Sequence, residues 1–191
     1  PSTMVTLTTH DTKRGEDVRA RIGVLSQVPG LWSQLIADWE SVSPPPDPAT
    51  GLFLWQNMFG THVLGPVALT KELLPGMRAA GAGRIVVVSS AGGVRGQPGI
   101  AAYSTSKGAI EAMRIHLAPV FGKRNITVNS VNPGAIDTEM NPWLQSPEGQ
   151  EMAKAMQALP RVGNARDIAD VMAFVASPAS GWITGQKIDV S

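Results

Sequence analysis

Ile85 to Val88 is an unbroken run of four β-branched residues, short enough for a strand buried on both faces, and Ser89 and Ser90 close it. On either side the apolar positions change period. Met4 to Thr9 is rich in β-branched residues and predicts a short strand. Thr12 to Ile22 is polar, with Val18 and Ile22 at helical spacing, and predicts a helix. Gly23 to Thr50 holds Pro29-Gly30 and Pro44-Pro45-Pro46, which predict loop; Leu31 to Trp39 between them fits a strand or a helical turn. Leu52 to Ala80 has the pattern of a long helix, with a kink expected near Pro66 and an end near Pro75. Ala101 to about Ala118 predicts a helix stopped by Pro119 and Gly122. Ile126 to Val131 alternates apolar and polar residues as a strand does. Pro133 to Ser146 is loop, and Pro147 to Leu159 is helical. Ala165 to Ala176 forms a further helix, with Asn164 as its N-cap, and Lys187 to Val190 ends the chain as a strand. Strands alternating with helices predict an α/β domain whose parallel sheet is covered on both faces.

The chemistry lies between the Ile85 strand and the next helix. Gly92, Gly93, Gly96, Pro98 and Gly99 form a glycine-rich loop, and the helix after it carries Tyr103 and Lys107. Those two are one turn apart and share a face. Ser90 stands at the carboxyl end of the strand, the edge where ligands sit in open α/β sheets. A phenol titrates near 10, too high to exchange protons readily at neutral pH, and a nearby ammonium favours the phenolate. A serine hydroxyl can hold a carbonyl oxygen while the phenol protonates it. The set suits a carbonyl–alcohol interconversion whose hydride comes from elsewhere.

Composition narrows the classes. A chain of 191 residues with net charge +1 and no basic or acidic run has no electrostatic case for nucleic acid or an anionic membrane. It has no cysteine, hence no disulfide framework or thiolate metal site, and no metal site is expected. No apolar stretch reaches eighteen residues and no signal peptide opens the sequence, so a cytoplasmic protein is the expectation.

Ser90, Tyr103 thirteen residues later and Lys107 resemble the Ser…Tyr-x-x-x-Lys signature of the short-chain dehydrogenase/reductase family. Three further segments resemble it in the right order. They are Gly65-Pro66 through Leu74-Pro75, then Val131 to Thr138, then Arg161-Val162-Gly163 through Ile183-Thr184-Gly185-Gln186. The resemblance implies one Rossmann-type, doubly wound domain over 1–191, well matched from 52 onward and divergent or truncated over 1–51. It implies an NADP- or NAD-dependent oxidoreductase of the 3-oxoacyl-ACP-reductase kind, acting on a small carbonyl or alcohol substrate, and a homo-oligomer, dimer or tetramer. By resemblance Tyr103 is the acid/base, Lys107 lowers its pKa and holds the nicotinamide ribose, and Ser90 orients the substrate oxygen. Pro133, Gly134, Ile136 and Thr138 border the nicotinamide and diphosphate.

The sequence also departs from the family. A dinucleotide domain opens with a strand, a glycine-rich turn and a helix whose amino terminus holds the pyrophosphate, and 1–51 contains no such motif. Asp38-Trp39-Glu40-Ser41 stands where the family has Asn-Asn-Ala-Gly. His62 stands where it has a structural asparagine. With Met4 to Thr9 taken as the family's second strand, the neutral Thr9 followed by His10, Lys13 and Arg14 leans to NADP over NAD. The competing expectation is an inactive fragment or pseudoenzyme that only packs with intact relatives.

Overall fold

The structure, a computed structural model, describes residues 4–7, 48–94 and 100–191. The helix expected over 12–22, the loops to 47, the Asp38 to Ser41 segment and residues 95–99 of the glycine-rich loop lie outside the described residues.

Four parallel strands form one sheet in the order β1 (Met4–Leu7), β2 (Gly83–Val88), β3 (Ile126–Pro133), β4 (Lys187–Val190). Between β1 and β2 stand α1 (Pro48–Phe59) and α2 (Gly65–Ala79), joined by one wide turn, Gly60–Leu64. A single long helix, α3 (Ala101–Gly122), connects β2 to β3. The last connection carries α4 (Pro147–Met156) and α5 (Ala165–Ala176).

The strand β2 is buried along almost all its length because helices cover both faces. Ile85 and Val87 face one layer, packing with Val128 against Met77 of α2 and Ile110, Ala118 and Phe121 of α3. Val86 and Val131 face the other, against Val175 and Ala176 of α5. This two-sided cover explains the uninterrupted β-branched run. It also buries the polar positions of β3: Thr127, Asn129, Ser130 and Asn132 are all buried. The alternation in that strand therefore does not mark a wet face. Asn129 meets the burial by donating to the Ile183 carbonyl at 2.8 Å and accepting from Gln186 N at 3.0 Å.

Three helix ends differ from expectation. The helix α4 stops at Met156, short of Leu159. The helix α2 continues through Pro75 to Ala79, and α3 continues through Pro119 to Gly122. Each proline falls within the final turn and a half, so few helical bonds follow the one it removes. The irregularity near Pro66 is the wide turn Gly60–Leu64 just before it, and Pro66 itself opens α2, where a missing N–H costs nothing. At α5 the expected cap is present and reciprocal: Asn164 accepts from Arg166 N and Asp167 N, while Asp167 Oδ2 accepts from Asn164 N.

The neighbour of β1 corrects one assignment. Met4–Leu7 pairs with Arg84–Val87, directly beside β2. In the doubly wound order 3-2-1-4-5-6, a second strand lies two places from the fourth and never touches the fifth. With the Ile85 strand as the fifth, β1 occupies the fourth position. The inference from Thr9, His10, Lys13 and Arg14 to a 2′-phosphate loses its premise.

Candidate active site

The carboxyl edge of the sheet gathers the candidate residues. Pairing of β2 with β3 continues past the strand ends: Ser89 N donates to Val131 O at 2.9 Å, and Ala91 N to Pro133 O at 3.0 Å. Ser90 therefore stands beside Pro133 and the segment Gly134 to Thr138. Its hydroxyl accepts from Gly93 N at 3.1 Å. The chain needs glycine at 93, since an added Cβ would lie 3.0 Å from Lys107 Cβ and 3.2 Å from Ser90 Cβ.

Tyr103 lies in the first turn of α3 and Lys107 in the second. Ser90 hydrogen-bonds the Tyr103 side chain. Lys107 Nζ donates to the Val88 carbonyl at 3.0 Å and lies 5.5 Å from the centre of the Tyr103 ring. Strand end and helix start thus bring together the hydroxyl, the phenol and the ammonium. The electrostatics differ from expectation. Burial pushes the Tyr103 phenol above its usual range, and the Ser90 hydrogen bond offsets only part of that. Burial likewise pushes Lys107 down to about 8. The ammonium faces the ring and a carbonyl, so in this state it does not bring the phenol down.

The segment leaving β3 is held by its own backbone. Gly134 N donates to Val190 O at 2.9 Å, Gly163 N to Ala135 O at 3.0 Å, and Asp137 N to Gly163 O at 2.9 Å. Ile136 is buried and its carbonyl accepts from Asn141 Nδ2 at 2.8 Å. Gln157 Oε1 accepts from Ala135 N at 2.8 Å. Pro133, Gly134, Ile136 and Thr138 thus lie on one fixed ribbon leaving β3 beside Ser90.

Ser106 is not among the sequence candidates, and His62 enters them only as a departure from the family's asparagine. Ser106 Oγ donates to the Tyr103 carbonyl at 2.7 Å, and His62 Nδ1 lies 2.9 Å from Ser106 Oγ. The spacing of Ser106 three after Tyr103 is a readable signal for that bond. Its link to His62, forty-four positions earlier, is not. Among the described residues no cluster of side chains could hold a metal ion, and no helix is long and apolar enough to cross a membrane.

Residues 50–191 match the family model described as enoyl-(acyl carrier protein) reductase. The chain is 38% identical over 138 residues to the 3-oxoacyl-acyl-carrier-protein reductase FabG of Pseudomonas aeruginosa, covering 72% of this chain and 55% of that one. Among solved structures it resembles the angucycline C-6 ketoreductase LanV with bound NADP, at 34% identity and a TM-score of 0.64, over 72% of this chain and 52% of that one. It also resembles 4-hydroxyisoleucine dehydrogenase complexed with NADH, at 29% identity and a TM-score of 0.68, over 72% and 57%. The chain belongs to the short-chain dehydrogenase/reductase family and is similar to its 3-oxoacyl-ACP reductases. It spans little more than half the length of these relatives. A different match is 67% identical over 60 residues, 31% of this chain, to a putative maltooligosyl trehalose synthase of Mycobacterium tuberculosis, of which it covers 8%.

Proposed function

We propose that residues 50–191 carry the acid–base half of an NADP(H)- or NAD(H)-dependent oxidoreductase that interconverts a small ketone and a secondary alcohol. The observation that carries this reading is the convergence of Ser90, Tyr103 and Lys107 at the carboxyl edge of the sheet. Relatives crystallised with NADP or NADH support the cofactor class. A nicotinamide fits this edge by its donor set: Lys107 and Tyr103 would meet the ribose, and the Pro133–Thr138 ribbon would border the ring and diphosphate. The cofactor, when bound, supplies the hydride. Ser90 holds the substrate oxygen in the place its hydroxyl already offers to Tyr103. Tyr103, kept protonated by burial, donates its proton to that oxygen in reduction and takes it back in oxidation. Lys107 keeps the phenol within reach through its Val88 anchor and its charge above the ring.

A second reading is favoured by the absence of a glycine-rich turn from the sequence of 1–49. The family model leaves residues 1–49 unmatched. On this reading 1–49 is a disrupted first half of the reductase. The pyrophosphate-binding turn is then simply not encoded in these 191 residues, which fits the absence of a glycine-rich motif and the place of β1 in the sheet. The chain would be an inactive packing partner of intact relatives. Turnover of a small ketone by the full chain at millimolar NADPH separates the readings: slow reduction supports the first, and none supports the second.

The family resemblance further proposes a homo-oligomer. A groove of about 520 Å³ runs between α2 and α3, with Val67, Leu74, Met113, Leu117 and Phe121 among its lining. We read it as part of the face that meets a second copy.

A further inference from the structure

We infer that His62 is a positioning residue for Tyr103, acting through Ser106 and through the aromatic ring itself. The inference rests on the reading of Tyr103 as the acid–base group.

The hydrogen-bond inventory fixes the direction of the link. A serine hydroxyl has one proton to give. Ser106 gives it to the Tyr103 carbonyl at 2.7 Å, the shorter of its two bonds. The contact at 2.9 Å with His62 Nδ1 must then be one in which Ser106 accepts. Nδ1 therefore carries a hydrogen, and in the neutral ring the lone pair is on Nε2. Because Nδ1–H is present in both the neutral and the charged imidazole, the link holds on either side of the histidine titration.

The same ring braces the tyrosine a second way. The His62 and Tyr103 rings stand nearly perpendicular, at 81°, with centroids 5.6 Å apart, the edge-to-face arrangement that aromatic pairs prefer. His62 is 2% exposed and sits in the wide turn Gly60–Leu64, so its backbone is displaced from regular helix where it meets α3. His62 thus bears on the Tyr103 ring directly and on its backbone carbonyl through Ser106. A residue fixed at both ends has little freedom to swing its phenol away from Ser90.

The sequence contains one tyrosine, so an NMR-visible carbon label at tyrosine Cζ reports this side chain alone, with no cofactor or substrate present. In the full chain the label should show one signal, that of a half-buried tyrosine. In His62→Ala the ring loses its brace and water reaches the hydroxyl. The signal should move toward that of an exposed tyrosine, and phenolate formation should begin about half a pH unit lower or more. His62→Asn keeps an N–H near the place of Nδ1 and should restore most of the parent signal. Ser106→Ala removes the link but not the ring contact, and should shift the signal part of the way. Should His62→Ala not fold, the Asn and Ser106 variants carry the comparison. An unchanged Cζ signal in His62→Ala or in Ser106→Ala would overturn the inference, as would an Asn variant no better than Ala. Failure of the chain to reduce any ketone would bear on the proposed activity and not on this result.

Discussion

Lys107 Nζ donates to the Val88 carbonyl at 3.0 Å while lying 5.5 Å from the centre of the Tyr103 ring. The ammonium is anchored to the strand, not to the phenol oxygen, and only 2% of the residue is exposed. Dehydration dominates both groups: the phenol rises and the ammonium falls to about 8. Burial thus disfavours the charged form of both groups.

That relationship predicts a pH dependence of stability. Between about 8 and 10.5 the unfolded chain keeps the Lys107 proton that the folded chain has lost, so folding becomes more favourable as pH rises through this window. Below 8 the buried charge costs the fold about 3 kcal/mol. Lys107→Met should therefore be more stable than the parent at pH 7, and the difference should shrink as pH approaches 10. Denaturant unfolding across that range checks it. A variant less stable at pH 7 with a constant gap would contradict the assignment.

Tyr103→Phe should leave the unfolding midpoint nearly unchanged and remove reduction measured at millimolar NADPH. The expected loss is about 10²–10⁴-fold, the range for a removed general acid. Comparable turnover in the Phe variant would move the proton source elsewhere.

The α2–α3 face predicts association. Val67, which lines the groove, and Val120, next to the lining residue Phe121, are each at least 40% exposed. Sedimentation should find a dimer or tetramer, and Val67→Glu should shift it toward monomer with the fold intact. A monomeric parent at micromolar concentration would count against this face as an interface.

Ser90, Tyr103 and Lys107 are legible in sequence because a strand end and one helical turn fix their relative places. The six later elements from β2 to β4 follow from period and caps, as the reciprocal Asn164–Asp167 cap shows. Other features need the third dimension. The four residues of β1 carry no mark of which strand they will pair with, so sequence order misplaces them as a second strand. The polar stripe of β3 looks like a wet face until α3 and α5 cover both sides. Pro75 and Pro119 read as stops although each lies close enough to a helix end to be borne. The His62–Ser106 bond joins two helices that only tertiary packing brings together.

The central claim is that these 191 residues hold the nicotinamide-facing half of a reductase site without the turn that grips the pyrophosphate. Each hydrogen bond to a charged group contributes about 1.5–3 kcal/mol, so losing two or three moves a micromolar site to millimolar or weaker. Calorimetric titration of the full chain with NADPH measures this directly. The account predicts a dissociation constant in the millimolar range or no detectable heat. Micromolar binding accompanied by ketone turnover would contradict it and would place a phosphate site within residues 1–49.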